Sequence, residues 1–235
     1  MPRSMTHFFH LNLISAKVFW KHNHPLLHDS IAALMMFGIG FAPILALALT
    51  LLGVCSLPLA TMALVAPALV SAFGLSYHDP RHGRLMLQGF LRGVMAVTCY
   101  DCVRIAFVFA GYLDDFIPQI GAMLVEDSNH HFIVGYLWRY LGNGGGLGLA
   151  FVSTLALIKR RLSVRQQQRM TPRLMKIIAI GFGVFVWICL IMTLKISPHG
   201  EEIMFVISPI TLLATLSGHV VFGYALGCFV SRLLG

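Results

Sequence analysis

Asp101 and Arg104 stand three residues apart inside an apolar run, with Tyr100 four before the arginine, and Arg139 and Asn143 stand four apart inside another. At those spacings each pair shares one face of a helix and its members reach each other. A third run carries His219 on a stripe at four-residue spacing, Thr211, Thr215, His219, Gly223, Gly227 and Ser231. Small residues so placed let a second backbone approach closely, which puts His219 against protein. An ionisable side chain at the centre of a bilayer costs at least about 2.5 kcal/mol, so these five residues are functional candidates by default. Asp101 neutralises one arginine, and the second leaves positive charge that a bound anion would balance. His219 adds an imidazole that in water titrates near neutrality, suited to a proton step in a working cycle. The bland account of the same residues is polar glue between helices, worth about 0.6 to 2 kcal/mol per contact.

Gly142-Asn143-Gly144-Gly145-Gly146 follows Arg139 directly. A run so rich in glycine is costly as continuous helix, so the sequence predicts an interruption with a restart near Leu147. The restarted helix would aim its positive end and unpaired amides at the arginine-bearing interior, as broken helices do for anionic groups. Outside the apolar runs, Glu126 and His130, and likewise Asp127 and His131, are four apart, which is ligand spacing on a helix for a divalent ion such as zinc. No cofactor beyond such a metal is expected. Cys99 and Cys102 form a CxxC, read first as packing residues and second as a thiol pair.

Two fragments resemble enzyme motifs without completing them. Ser217-Gly218-His219 is similar to the SGH of type-two phosphatidic acid phosphatases, but no matching downstream His and Asp follow. Glu201-Glu202 is similar to the paired glutamates of intramembrane prenyl-protein proteases, but the following arginine and the FxxxH element are missing. The glycine run is not a phosphate-binding loop, because no GK[ST] follows it. With no catalytic motif complete, an enzyme is the weaker expectation.

The elements that must position these residues are apolar helices. The 235 residues are 57% hydrophobic and 11% charged, with a mean hydropathy of +0.80. That leaves too little polar surface for a soluble domain of this length. Six apolar segments are expected to span a bilayer, at about 31 to 54, 57 to 76, 88 to 113, 132 to 158, 174 to 195 and 203 to 231. Together they make an all-α, polytopic six-helix bundle over residues 31 to 233. Residues 1 to 30 form a separate segment whose part from 6 to 23 has Phe8, Leu11, Ile14 and Val18 at helical spacing among Lys17, Lys21 and several His, which suits an interfacial amphipathic helix.

The formal net charge of +8 invites a nucleic-acid partner, but seven of the seventeen basic residues share one connection, Lys159, Arg160, Arg161, Arg165, Arg169, Arg173 and Lys176. Placed between apolar segments, they read as topology determinants facing anionic headgroups, and no nucleic-acid partner is expected. Basic residues collect on one side of a six-span layout. Asp114, Asp115, Glu126, Asp127, Glu201 and Glu202 collect on the other, with Lys195 their one basic neighbour. The basic side, with both termini, is expected to be cytoplasmic, in a bacterial inner membrane. The function expected is permeation or carriage of a small anionic solute or lipid headgroup through a site built from Asp101, Arg104, Arg139, Asn143 and His219. The alternative is a non-catalytic subunit of a larger membrane assembly, with partner subunits covering the same polar residues.

Overall fold

A computed structural model of the chain describes the backbone of residues 25–234 and the side chains of residues 30–232. The interfacial helix expected over 6 to 23 lies outside the described residues. Within them the chain is helical, without strands. In chain order the helices are α1 (Pro25–Leu51), α2 (Leu57–His78), α3 (Pro80–Phe109), α4 (Ile117–Val125), α5 (Phe132–Arg161), α6 (Val164–Gln168), α7 (Pro172–Ile196), α8 (Gly200–Ile203) and α9 (Pro209–Leu234). α2 and α5 each contain one wider, π-helical turn, at Thr61–Val65 and Trp138–Gly145.

Local chemistry sets the starts. Asp79 caps α3 by accepting from the Arg81 amide at 3.0 Å, with Pro80 opening the first turn. Thr171 caps α7 through the Leu174 amide at 3.2 Å, again with proline following. Ser163 and Gln166 form a capping box on α6. In each case an otherwise unpaired first-turn amide is satisfied, and in α3 and α7 proline sits where no amide is needed. α3 therefore begins well before residue 88. α9 begins at Pro209 rather than near 203, because Ser208 and Thr211 hydrogen-bond reciprocally just ahead of it.

Five helical stretches are long and apolar enough to cross a membrane: Ser30–Leu51, Leu57–His78, Phe132–Arg161, Pro172–Ile196 and Pro209–Arg232. This is the composition of an integral membrane protein. α3, at 30 residues, is about 45 Å long by helical rise, but Arg92, Asp101 and Arg104 keep it out of that set.

Packing follows the glycines. The interruption predicted at 142 to 146 does not occur: the backbone stays helical from Phe132 to Arg161, with one widened turn. The glycines serve close approach instead. A Cβ on Gly93 of α3 would lie 2.8 Å from the Gly148 backbone of α5, and one on Gly40 of α1 would lie 2.8 Å from the Ala150 amide of the same helix. Only glycine permits backbones this close. On α9 the predicted small-residue stripe meets α7, where a Cβ on Gly223 would stand 2.7 Å from Ile180 Cα.

The helices consequently form an arc. α1 packs on α5, α5 on α3, α3 on α9 and α9 on α7, while α7 and α1 barely touch. At the acid-rich end Ser197 beyond α7 donates to the Leu51 carbonyl of α1. Below that tie the arc stays open on its α1–α7 flank as far as Phe41 and Phe182, whose rings meet edge-on at 6.3 Å. Three apolar clusters pack along it: Val97, Leu147, Phe151 and Leu226; Leu51, Phe116, Ile117, Ile120 and Leu194 towards the acid-rich end; and Ala33, Met36, Met86 and Leu149.

Candidate functional site

Inside the arc lies a cavity of about 270 Å³. Its walls are apolar over most of their area, from Phe41, Ile44 and Leu47 of α1 to Val186 and Leu190 of α7. One end is polar, where Tyr100, Arg139, Asn143 and His219 line it. By helical rise Arg139 stands about 10 Å and His219 about 15 Å in from the acid-rich ends of their helices.

Behind Arg139 is a buried charge cluster. Asp101 accepts from Arg104 Nε at 2.9 Å and from Arg139 Nε at 2.8 and 2.9 Å. Arg104 Nη1 donates to Asp115 Oδ1 at 2.9 Å, and Arg104 Nη2 donates to the Tyr136 hydroxyl at 2.5 Å. Tyr136 in turn donates to Asp115 Oδ2 at 3.0 Å. Asp101 and Arg104 are each 1% exposed and Arg139 7%, so these contacts are shielded from water and their charges must be matched within the protein.

The excess positive charge expected from the sequence is not present here, because Asp115 supplies a second carboxylate. It could not be paired with Arg104 from spacing. Eleven residues separate them, and the chain reverses through Gly111, at φ 74°, before Asp115 comes back beside α3. Tyr136 did carry a signal, three residues before Arg139 on the same helix. The anion-directing helix end is likewise absent, since the helix does not restart at Leu147.

Buried polar atoms on the widened turn of α5 remain without hydrogen bonds, Trp138 Nε1 among them. Arg139 Nη2 lies 2.6 Å from Asp101 Oδ1 as a charge contact, yet its N–H groups are not aligned on that oxygen and make no hydrogen bond. Asn143 Oδ1 is buried without a partner as well. The widened turn Trp138–Gly145 carries both residues, and π-turns inside helices are frequent at functional sites. Arg139 also lies over the face of Tyr100, 4.5 Å from the ring centre, and Tyr100 meets the His219 ring edge-on at 5.0 Å. His219 Nδ1 donates to the Thr215 carbonyl at 2.8 Å, while Trp187 Nε1 donates to the Thr215 hydroxyl at 3.0 Å. That anchor leaves Nε2 of the neutral ring as an acceptor.

All five expected site residues thus converge, in two tiers. Asp101 and Arg104 hold the buried cluster, and Arg139, Asn143 and His219 reach the cavity. The expected metal residues behave differently. α4 ends at Val125, with Glu126 in a left-handed conformation at φ 55°. Glu126, Asp127, His130 and His131 therefore lie in a connection, and helical four-residue spacing does not apply to them. Asp127 and His131 do meet, at 2.7 Å. That hydrogen bond, with the Asn129 amide, draws the Asp127 carboxyl down to about 2. Among the described residues no three His, Cys, Asp or Glu side chains gather as a metal would need. Cys99 is half-buried and Cys102 exposed, both as free thiols.

No family model, curated protein or solved structure matches the chain.

Proposed function

We propose that the chain is an integral membrane carrier or permeation protein that holds a small polar solute or lipid headgroup at the polar end of its cavity. One observation carries this reading: an apolar chamber is lined at one end by Arg139, Asn143 and His219, and the Asn143 amide oxygen has no hydrogen-bond partner. An unpaired buried polar group costs about 1 to 3 kcal/mol, so a ligand that satisfies it binds against that cost. In this reading Asp101 and Arg104 position Arg139, Arg139 and Asn143 contact the headgroup, and His219 closes the third side. α3 is the sixth spanning helix, with Asp101 and Arg104 paired in the cluster and Arg92 donating to the Phe229 and Gln88 carbonyls. The basic connections and both termini face the cytoplasm of a bacterial inner membrane.

Native mass spectrometry of gently extracted protein tests the site. The expected result is a small-molecule or lipid adduct on the wild type that is lost in Asn143→Ala and in Arg139→Gln. An adduct retained in both variants, or none on any form, would overturn it. Flux across reconstituted vesicles then has to fall in the same variants for the carrier role to stand.

A second reading, a non-transporting subunit of a larger assembly, draws on α2. Its apolar window is only 6% buried, and Met62, Phe73 and Tyr77 are each more than 70% exposed. Lipid alone satisfies such a face. A stoichiometric partner polypeptide that survives extraction, with no small-molecule adduct, would favour this reading over the first.

A further inference from the structure

We infer that the ligand of this cavity is a single-chain amphiphile with an uncharged, hydroxyl-bearing head, entering sideways from the bilayer between α1 and α7. The inference rests on the proposed binding site and specifies its ligand class. Three observations support it.

The first is the position of the mouth. Towards the acid-rich aqueous end the cavity is covered by Phe116, Ile117, Ile120 and Met204, none more than 6% exposed. On the flank, Leu45 of α1 is 49% and Phe185 of α7 53% exposed, and Cys189 is exposed beside them, although all three line the same cavity. Residues that face both the chamber and the surface mark its opening, and these are apolar. The ligand therefore arrives through the hydrocarbon.

The second is charge. Arg104 and Arg139 are matched by Asp101 and Asp115. An anionic head would add an unbalanced charge to a chamber walled by hydrocarbon, at a cost of several kcal/mol. A neutral head avoids it.

The third is the hydrogen-bond inventory. Arg139 Nη2 is already against Asp101 at 2.6 Å, whereas Asn143 Oδ1 and His219 Nε2 are acceptors without a donor. A head that satisfies them must donate, as a hydroxyl does and an ester or ether does not. The volume sets the rest: about 270 Å³ holds roughly nine water-sized groups. That is a head with the first part of one chain, the remainder lying in the bilayer.

Cys189 at the mouth supplies the assay. A full-length variant with Cys55, Cys99, Cys102 and Cys228 replaced by alanine is reconstituted in phosphatidylcholine vesicles, and labelling of Cys189 by a membrane-soluble maleimide is timed. Excess 1-oleoylglycerol should slow labelling about fivefold or more, a ratio worth about one kcal/mol of occupancy. Methyl oleate, which cannot donate, and oleyl sulfate, which is always anionic, should leave the rate within about twofold. Asn143→Ala, which removes no intramolecular hydrogen bond, should abolish the protection. Equal protection by the sulfate or the ester would overturn the uncharged hydroxyl head while leaving the binding site standing. Protection that survives Asn143→Ala, or none from any of the three amphiphiles, would overturn the inference together with the binding site on which it rests.

Discussion

Asp101 is the side chain on which the polar interior depends, because both arginines direct their Nε groups at it. Its neutralisation leaves two buried guanidinium groups sharing one half-exposed carboxylate. Asp101→Asn is expected to destabilise by about 3 kcal/mol or more. Asp115 carries a lighter share. Its side chain is 27% exposed, and Arg104 keeps Asp101 and Tyr136 without it, so Asp115→Asn should cost about 1 kcal/mol. Thermal unfolding of the two variants in one detergent checks the order, and equal losses would remove Asp101 from the centre of the cluster. The sequence showed the Asp101–Arg104 pair because helical spacing alone brings those residues together. It did not show Asp115, whose contact depends on a chain reversal with no period to read.

Glycine is where local propensity and packing pull in opposite directions. Propensity alone breaks α5 at 142 to 146, whereas the structure keeps it helical because Gly144, Gly146 and Gly148 let α3 and α1 lie directly on its backbone. Close packing at those crossings outweighs the propensity lost, about 1 kcal/mol per glycine. Position then decides what a methyl group does. Gly93→Ala forces a Cβ to 2.8 Å from the Gly148 backbone and should destabilise by about 1 to 3 kcal/mol. Gly181→Ala on α7 meets nothing within 4 Å and should be neutral, or stabilising by up to about 1 kcal/mol. Unfolding midpoints that fail to separate these two variants would show that the α3–α5 approach is looser than described. The same crossings explain why the widened turn is tolerated: neighbours on both sides hold it in place, and Arg139 and Asn143 ride on it.

At the scale of the molecule, the open arc and the charge asymmetry make separate predictions. Between the Ser197 tie and the Phe41–Phe182 contact, α1 and α7 leave a gap in the arc beside the chamber. The asymmetry bears on topology. With α3 as a sixth span, its start at Arg81 and the connection carrying Asp127 lie on opposite faces of the membrane. Single-cysteine variants Arg81→Cys and Asp127→Cys, in a background without the native cysteines, test this with a membrane-impermeant thiol reagent on intact cells. Asp127→Cys should label and Arg81→Cys should label only after lysis. Labelling of both from outside would remove α3 as a span.

Composition and periodicity were enough to establish an all-helical membrane chain, the places of its long apolar helices and the polar residues that do not belong in lipid. Those properties are local: an apolar run of sufficient length and a charge within it are visible without knowing what lies opposite. Only the tertiary structure decided that the cluster is charge-balanced, that the glycine run is a packing surface and that Arg139, Asn143 and His219 share one chamber. Each of these depends on which helices are neighbours. Asp115 cancels a charge only because the chain folds back, a glycine is worth its propensity cost only where a second backbone lies against it, and a cavity exists only where two helices fail to meet.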